Sequence, residues 1–172
     1  TSCDGLLNQP PYDDFTDEEY WQNEDQARTY MYGFYTSIFS GYGTGTSHGP
    51  FLMGQTLNDD FASDVEQKDL TPLVVPETDG SWSFSNIRKA NYALASIERI
   101  DATPAAKNHW RGVARFFRAC YYSNLVFRYG DVPWYDRVPK LSDRKEDMDY
   151  LYKDRDPRAF VDSCIMADFQ YA

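Results

Sequence analysis

Apolar residues recur at helical spacing in four blocks of the chain, and irregular stretches separate them. In the first block Ala27, Tyr30, Met31, Phe34 and Ile38 share one face, which predicts a helix over residues 24–39. Asn23 and Gln26 have the spacing of a capping box at its start, and Thr16 and Glu19 repeat that spacing upstream. A glycine-rich run, "GYGTGTSHGP", ends it. Gly33 inside the helix costs roughly 1 kcal/mol relative to alanine and is expected to mark a close helix crossing. In the second block Ile87, Ala90, Asn91, Leu94, Ile97 and Ile100 form a stripe, with Arg88, Lys89, Glu98 and Arg99 mostly off it. Asn91 on the apolar side needs a buried hydrogen-bond partner, expected to be a loop's backbone.

Thr103 as N-cap and Pro104 at the first helical position then open a helix over residues 104–129. The turn between blocks two and three is short, so their helices are expected to form an antiparallel hairpin. The third block is apolar almost all round, which predicts cover on every side. Yet Arg111, Arg115 and Arg118 stand on it at i, i+4 and i+7. Buried guanidinium groups need partners, so these arginines are expected to tie the helix to carboxylates on neighbouring elements. Gly130 is expected to take the left-handed C-terminal position and Pro133 to block continuation, so this stop serves the fold.

Residues 140–155 read as charged and turn-like. Asp156 and Pro157 are expected as N-cap and first turn of a last helix. Val161, Cys164, Ile165, Asp168, Phe169 and Ala172 keep its spacing to the final residue without a C-cap signal, as expected of part of a longer chain.

Two stretches lack any period. Residues 1–15 read as a tether, and residues 40–81 as a long irregular segment mixing aromatics with short polar side chains. Irregular segments of that length within a domain are usually functional or disordered. Tyr42, Phe51, Asp59 and Asp60 within it are the candidate ligand contacts; Phe51 and Phe61 could equally staple the loop to the helices. Trp82, at the segment's exit, is expected to pack against the partner helix and is also a ligand candidate.

Charge and composition narrow the function. With 27 Asp and Glu against 17 Lys and Arg, the net charge of −10 argues against nucleic acid and against docking to an anionic membrane surface. Aromatics make up 17% of the chain, a supply of amphipathic rings suited either to a core or to binding. No run approaches the roughly 20 apolar residues of a membrane span. Cys120 and Cys164 lie in helical patterns and read as buried free thiols; Cys3 stands apart near the start. Asp59 and Asp60 are adjacent, which suits a catalytic pair poorly. His48 and His109 have no nucleophile motif or metal-ligand spacing near them. Neither catalysis nor a cofactor nor a metal is expected.

"WSFSNIRKANYALASI", "GVARFFRACYYSNLVFRYGDVPWY" and "RDPRAFVDSCIMADFQYA", with the weaker "LNDDFAS" and "GFYTSI", together resemble the N-terminal part of the SusD/RagB family. The resemblance implies a mainly α protein of tetratricopeptide-like helical hairpins with long irregular loops. Residues 16–172 would be the N-terminal part of that domain, with the family's C-terminal portion absent. It implies a non-catalytic lipoprotein on the outer face of the outer membrane, lidding a SusC-like TonB-dependent transporter and capturing glycans. Peptide binding and a helical-repeat scaffold for protein partners are the alternatives. Cys3 sits where the lipidated first residue of the mature chain would be.

Overall fold

A computed structural model describes residues 20–39, 81–139 and 144–172. Among these the chain is mainly helical: α1 (Glu24–Ile38), α2 (Ser85–Ile97), α3 (Pro104–Tyr129), α4 (Lys145–Leu151) and α5 (Arg158–Tyr171). The local start signals operate as the spacing predicts. Asn23 accepts from the Gln26 amide while the Gln26 side chain returns to the Asn23 amide, and Thr103 caps α3 with Pro in its first turn.

The long helix α3 is the axis of the fold. On α2, Glu98 meets Arg111 near the start of α3, whereas Ile87 packs with Leu125 near its end, so the hairpin is antiparallel. Across α5, Phe169 touches Phe116 and Val161 clusters with Val126, which makes α5 antiparallel to α3 as well. Helix α1 runs parallel to α3, since Glu24 accepts from the Trp110 indole and Phe34 stacks on Phe117. Two core clusters result. Met31, Phe34, Ile97, Trp110 and Phe117 fill the first half of α3, and Ile87, Tyr122, Leu125, Val132 and Ile165 the second. Full burial of a side chain such as Phe117 contributes about 1.5–3 kcal/mol.

The packing overturns four expectations. Residues 145–151 are helical, with Glu146 and Asp147 in the first turn where carboxylates favour the helix dipole. Gly33 lies exposed, and a Cβ there would meet open space, so it marks no crossing. Phe127 is 91% exposed, so α3 is not covered on every side. Pro157, not Asp156, is the N-cap of α5. Gly130 differs in detail: φ is 72° but ψ is −108°, outside the left-handed helical basin and in a region that glycine alone enters readily.

Candidate functional site

The polar side chains of α3 divide into a buried network and an open groove. In the network, the Arg118 guanidinium donates to both carboxylate oxygens of Asp168 at 2.7 and 2.8 Å, a bidentate pair between α3 and α5. A third bond, 2.7 Å long, goes to the Asn91 side-chain oxygen, and a fourth to the Asp136 carbonyl. Asn91 in turn donates to the Tyr135 carbonyl at 2.8 Å. All three side chains are buried. Arg115 approaches Asp168 at 3.8 Å and lies over the Tyr171 ring. Four of the five Arg118 N–H donors are thus spent on the fold, whereas the neighbouring Arg115 Nε is buried without a hydrogen-bond partner among the described residues.

The segment after Gly130 is locked by the same logic. Tyr122, fully buried, accepts from the Tyr135 amide at 2.6 Å and donates to the Pro133 carbonyl at 3.3 Å. Burial pushes its phenol well above the ordinary range, although the Tyr135 amide partly offsets this. Asp131 accepts from the Arg158 amide at 2.8 Å, capping α5 from across the fold. Asp156 instead accepts from the Trp134 amide at 2.7 Å. Burial alone would raise the Asp156 carboxyl, but the Lys153 ammonium and the Trp134 amide together hold it below its usual value.

The groove, of about 590 Å³, lies between the first turn of α2 and the last turns of α3. Ile87 and Leu125 supply apolar surface. Ser81, Ser83, Ser85, Asn86 and Asn124 supply hydroxyls and amides, and Tyr121 and Tyr129 add rings with polar tips. Arg128 lines it too, donating to Ser81. Tyr121 is hydrogen-bonded to Ser37, and burial raises its phenol against the smaller opposing effect of that bond, so it is neutral at pH 7. Described residues on either side of 40–80 meet α3, Ser37 through the lining Tyr121 and Trp82 through the lining Tyr129. Phe39 packs edge-on to Phe117, and Trp82 packs edge-on to Tyr129, with ring centroids 4.8 Å apart.

Trp82 also meets Phe84 at 5.4 Å and carries the Arg155 guanidinium 4.7 Å above its ring, yet stays 38% exposed. Cys3, Tyr42, Phe51, Asp59, Asp60 and Phe61 lie outside the described residues, as does the Thr16–Glu19 capping box. The groove residues Asn86, Asn124, Tyr121 and Tyr129 were not among the candidates from sequence. Their signal was available, because residues 121, 124, 125, 128 and 129 share a helix face next to the start of the preceding helix. Cys120 and Cys164 are free thiols, half-buried where full burial was expected; that burial still raises both, so they are protonated at neutral pH rather than nucleophilic. Among the described residues no group of three or more His, Cys, Asp or Glu is placed to hold a metal ion. No helix there is long and apolar enough to cross a membrane.

No family model matches the chain. No solved structure matches it either. Among curated proteins, the SusD-like protein P38 of Formosa agariphila is 23% identical over 190 aligned positions. The likeness is to a SusD-like protein. It covers 99% of this chain and 36% of that protein, so the chain spans about a third of the length of the relative it matches.

Proposed function

We propose that the chain is part of a non-catalytic, SusD-like nutrient-binding protein that captures glycans through the groove beside the end of α3. The observation that carries this reading is the chemistry of the groove wall: serine hydroxyls, two carboxamides and two tyrosines over an Ile87–Leu125 floor. Hydroxyls and carboxamides both donate and accept, which matches the paired demands of sugar hydroxyls. Tyrosine and tryptophan rings match the C–H face of a pyranose. The volume lies within the 300–1,000 Å³ or so typical of small-ligand sites. Tyr42, Phe51, Asp59 and Asp60 extend the same chemistry along residues 40–81, and Trp82 adds a partly exposed ring at its edge.

In this reading residues 1–15 are a tether, Cys3 carries the lipid that anchors the protein to the outer face of the outer membrane, and residues 16–172 belong to one helical domain. A SusC-like TonB-dependent transporter receives the glycan. Mass spectrometry of acylation at Cys3 measures the anchor. Calorimetric titration of the full-length protein with oligosaccharide and peptide panels tests the binding. Glycan affinity that falls at least tenfold in Asn124→Ala, and in Tyr42→Ala or Asp60→Ala, with unchanged melting temperature, supports the groove. Binding of peptides alone, or glycan binding indifferent to all three changes, sinks it.

A further inference from the structure

A second cavity, of about 380 Å³, opens on the other side of the first turn of α2, against the 131–139 segment and α4. Its wall is held by hydrogen bonds and ring contacts around Tyr135. Tyr135 is held by its amide on Tyr122, by its carbonyl on Asn91, and by its hydroxyl on the Leu151 carbonyl at 2.9 Å. Its ring is fixed edge-to-face between Phe84 and Tyr150, at 5.5 and 5.4 Å. Ile87, Pro139 and Leu151 complete an apolar surface around it. The polar contribution is small and of one sign: the Ser85 hydroxyl and the Arg88 side chain. Arg88 is exposed, its guanidinium pairs with no carboxylate among the described residues, and no described lining residue is acidic. Among the described residues that line this cavity Arg88 is the one cation and none is acidic, in a chain of net charge −10.

We propose that this cavity binds a small organic carboxylate, with its ring or short hydrocarbon body against Phe84, Tyr135 and Leu151 and its anion on Arg88. Guanidinium presents parallel N–H donors that match a planar carboxylate, which is why the class is a carboxylate and not a neutral or cationic ligand. The volume sits at the lower end of small-ligand sites and admits a body of one ring. The cavity adjoins the glycan groove through Ser85 and Ile87, but carboxylate binding on Arg88 does not depend on that reading.

The test uses benzoate and its neutral isostere benzamide as probes of the full-length protein, followed by calorimetry and by NMR of the Leu151 methyl groups. Benzoate is expected to bind at least tenfold more tightly than benzamide. Arg88→Gln, an exposed change, is expected to erase that preference without moving the melting temperature. Leu151→Trp, which fills the cavity, is expected to abolish binding of both probes while Arg88→Gln retains the weak, charge-independent component. Equal affinity for the two probes, no response at Leu151, or a preference that survives Arg88→Gln overturns the assignment.

Discussion

Asp168 places both carboxylate oxygens on the guanidinium of Arg118, at 2.7 and 2.8 Å, with both side chains at least nine-tenths buried. This pair ties α5 to α3 at the level where Asn91 ties α2 to the segment after α3. Removing one partner leaves the other charge buried without compensation, at a cost of about 3–5 kcal/mol. Asp168→Ala is therefore expected to lose that much in urea denaturation. The double variant Arg118→Met with Asp168→Leu is expected to be less damaged than Asp168→Ala alone, because no orphan charge remains. A single variant within about 1 kcal/mol of the parent would contradict the role given to the pair.

Tyr122→Phe removes the acceptor of the Tyr135 amide and leaves a buried donor unsatisfied, at a cost of about 1–3 kcal/mol. The phenol also makes stability depend on alkaline pH. Its folded pKa is raised, so its contribution is fully present below the unfolded tyrosine value of about 10 and is lost as pH rises through the folded value. Tyr121, Tyr135 and Tyr150 are raised by burial as well. Denaturation between pH 8 and pH 11 should show a shallower fall in Tyr122→Phe than in the parent, with a residual slope from the other groups that burial raises. An unchanged slope would assign the alkaline loss elsewhere.

Asp131 and Asp156 look alike in sequence and act at opposite ends of one junction. Asp131→Ala uncaps the Arg158 amide and should cost about 1 kcal/mol, as loss of a helix cap does. Asp156→Asn should remove a contribution that is made at neutral pH and disappears in acid. Its folded pKa is lowered, so its contribution is present above the unfolded Asp value of about 3.9 and is lost as pH falls through the folded value. Stability as a function of pH is the measurement: both variants should be less stable than the parent at pH 7, and Asp156→Asn should in addition flatten the loss of stability below about pH 4.

Trp82→Ala tests how far an edge aromatic supports the hairpin. A fully buried tryptophan would cost about 3–5 kcal/mol, but a ring 38% exposed forfeits less. Two edge-to-face contacts at about 0.5–1.5 kcal/mol each, plus partial burial, set the expectation at about 2 kcal/mol. Thermal denaturation measures it, and glycan titration of the same variant shows whether the exposed face also binds. A loss of affinity with no change in melting temperature would move Trp82 wholly into the binding surface.

The sequence by itself determined the four long helices, the antiparallel hairpin and the stop at Gly130. Asn23 with Gln26, and Thr103 with Pro104, were legible because a cap satisfies amides only two or three residues away. The apolar stripes were legible because a helix repeats its faces every 3.6 residues. The short helix α4 was not, since seven charged and mixed residues carry no stripe to read. Nor did spacing distinguish Asp168 from its apolar neighbours on α5. That it is buried follows from the arginine opposite, and which arginine stands opposite depends on how α5 lies against α3. The roles of Asp131 and Asp156 likewise arise only where the chain after α3 meets the chain before α5. The groove and the Tyr135 cavity lie on either side of the first turn of α2. Only tertiary packing brings their walls together from residues far apart in the chain, because a local repeat constrains neighbours within a turn or two and says nothing about which surfaces meet.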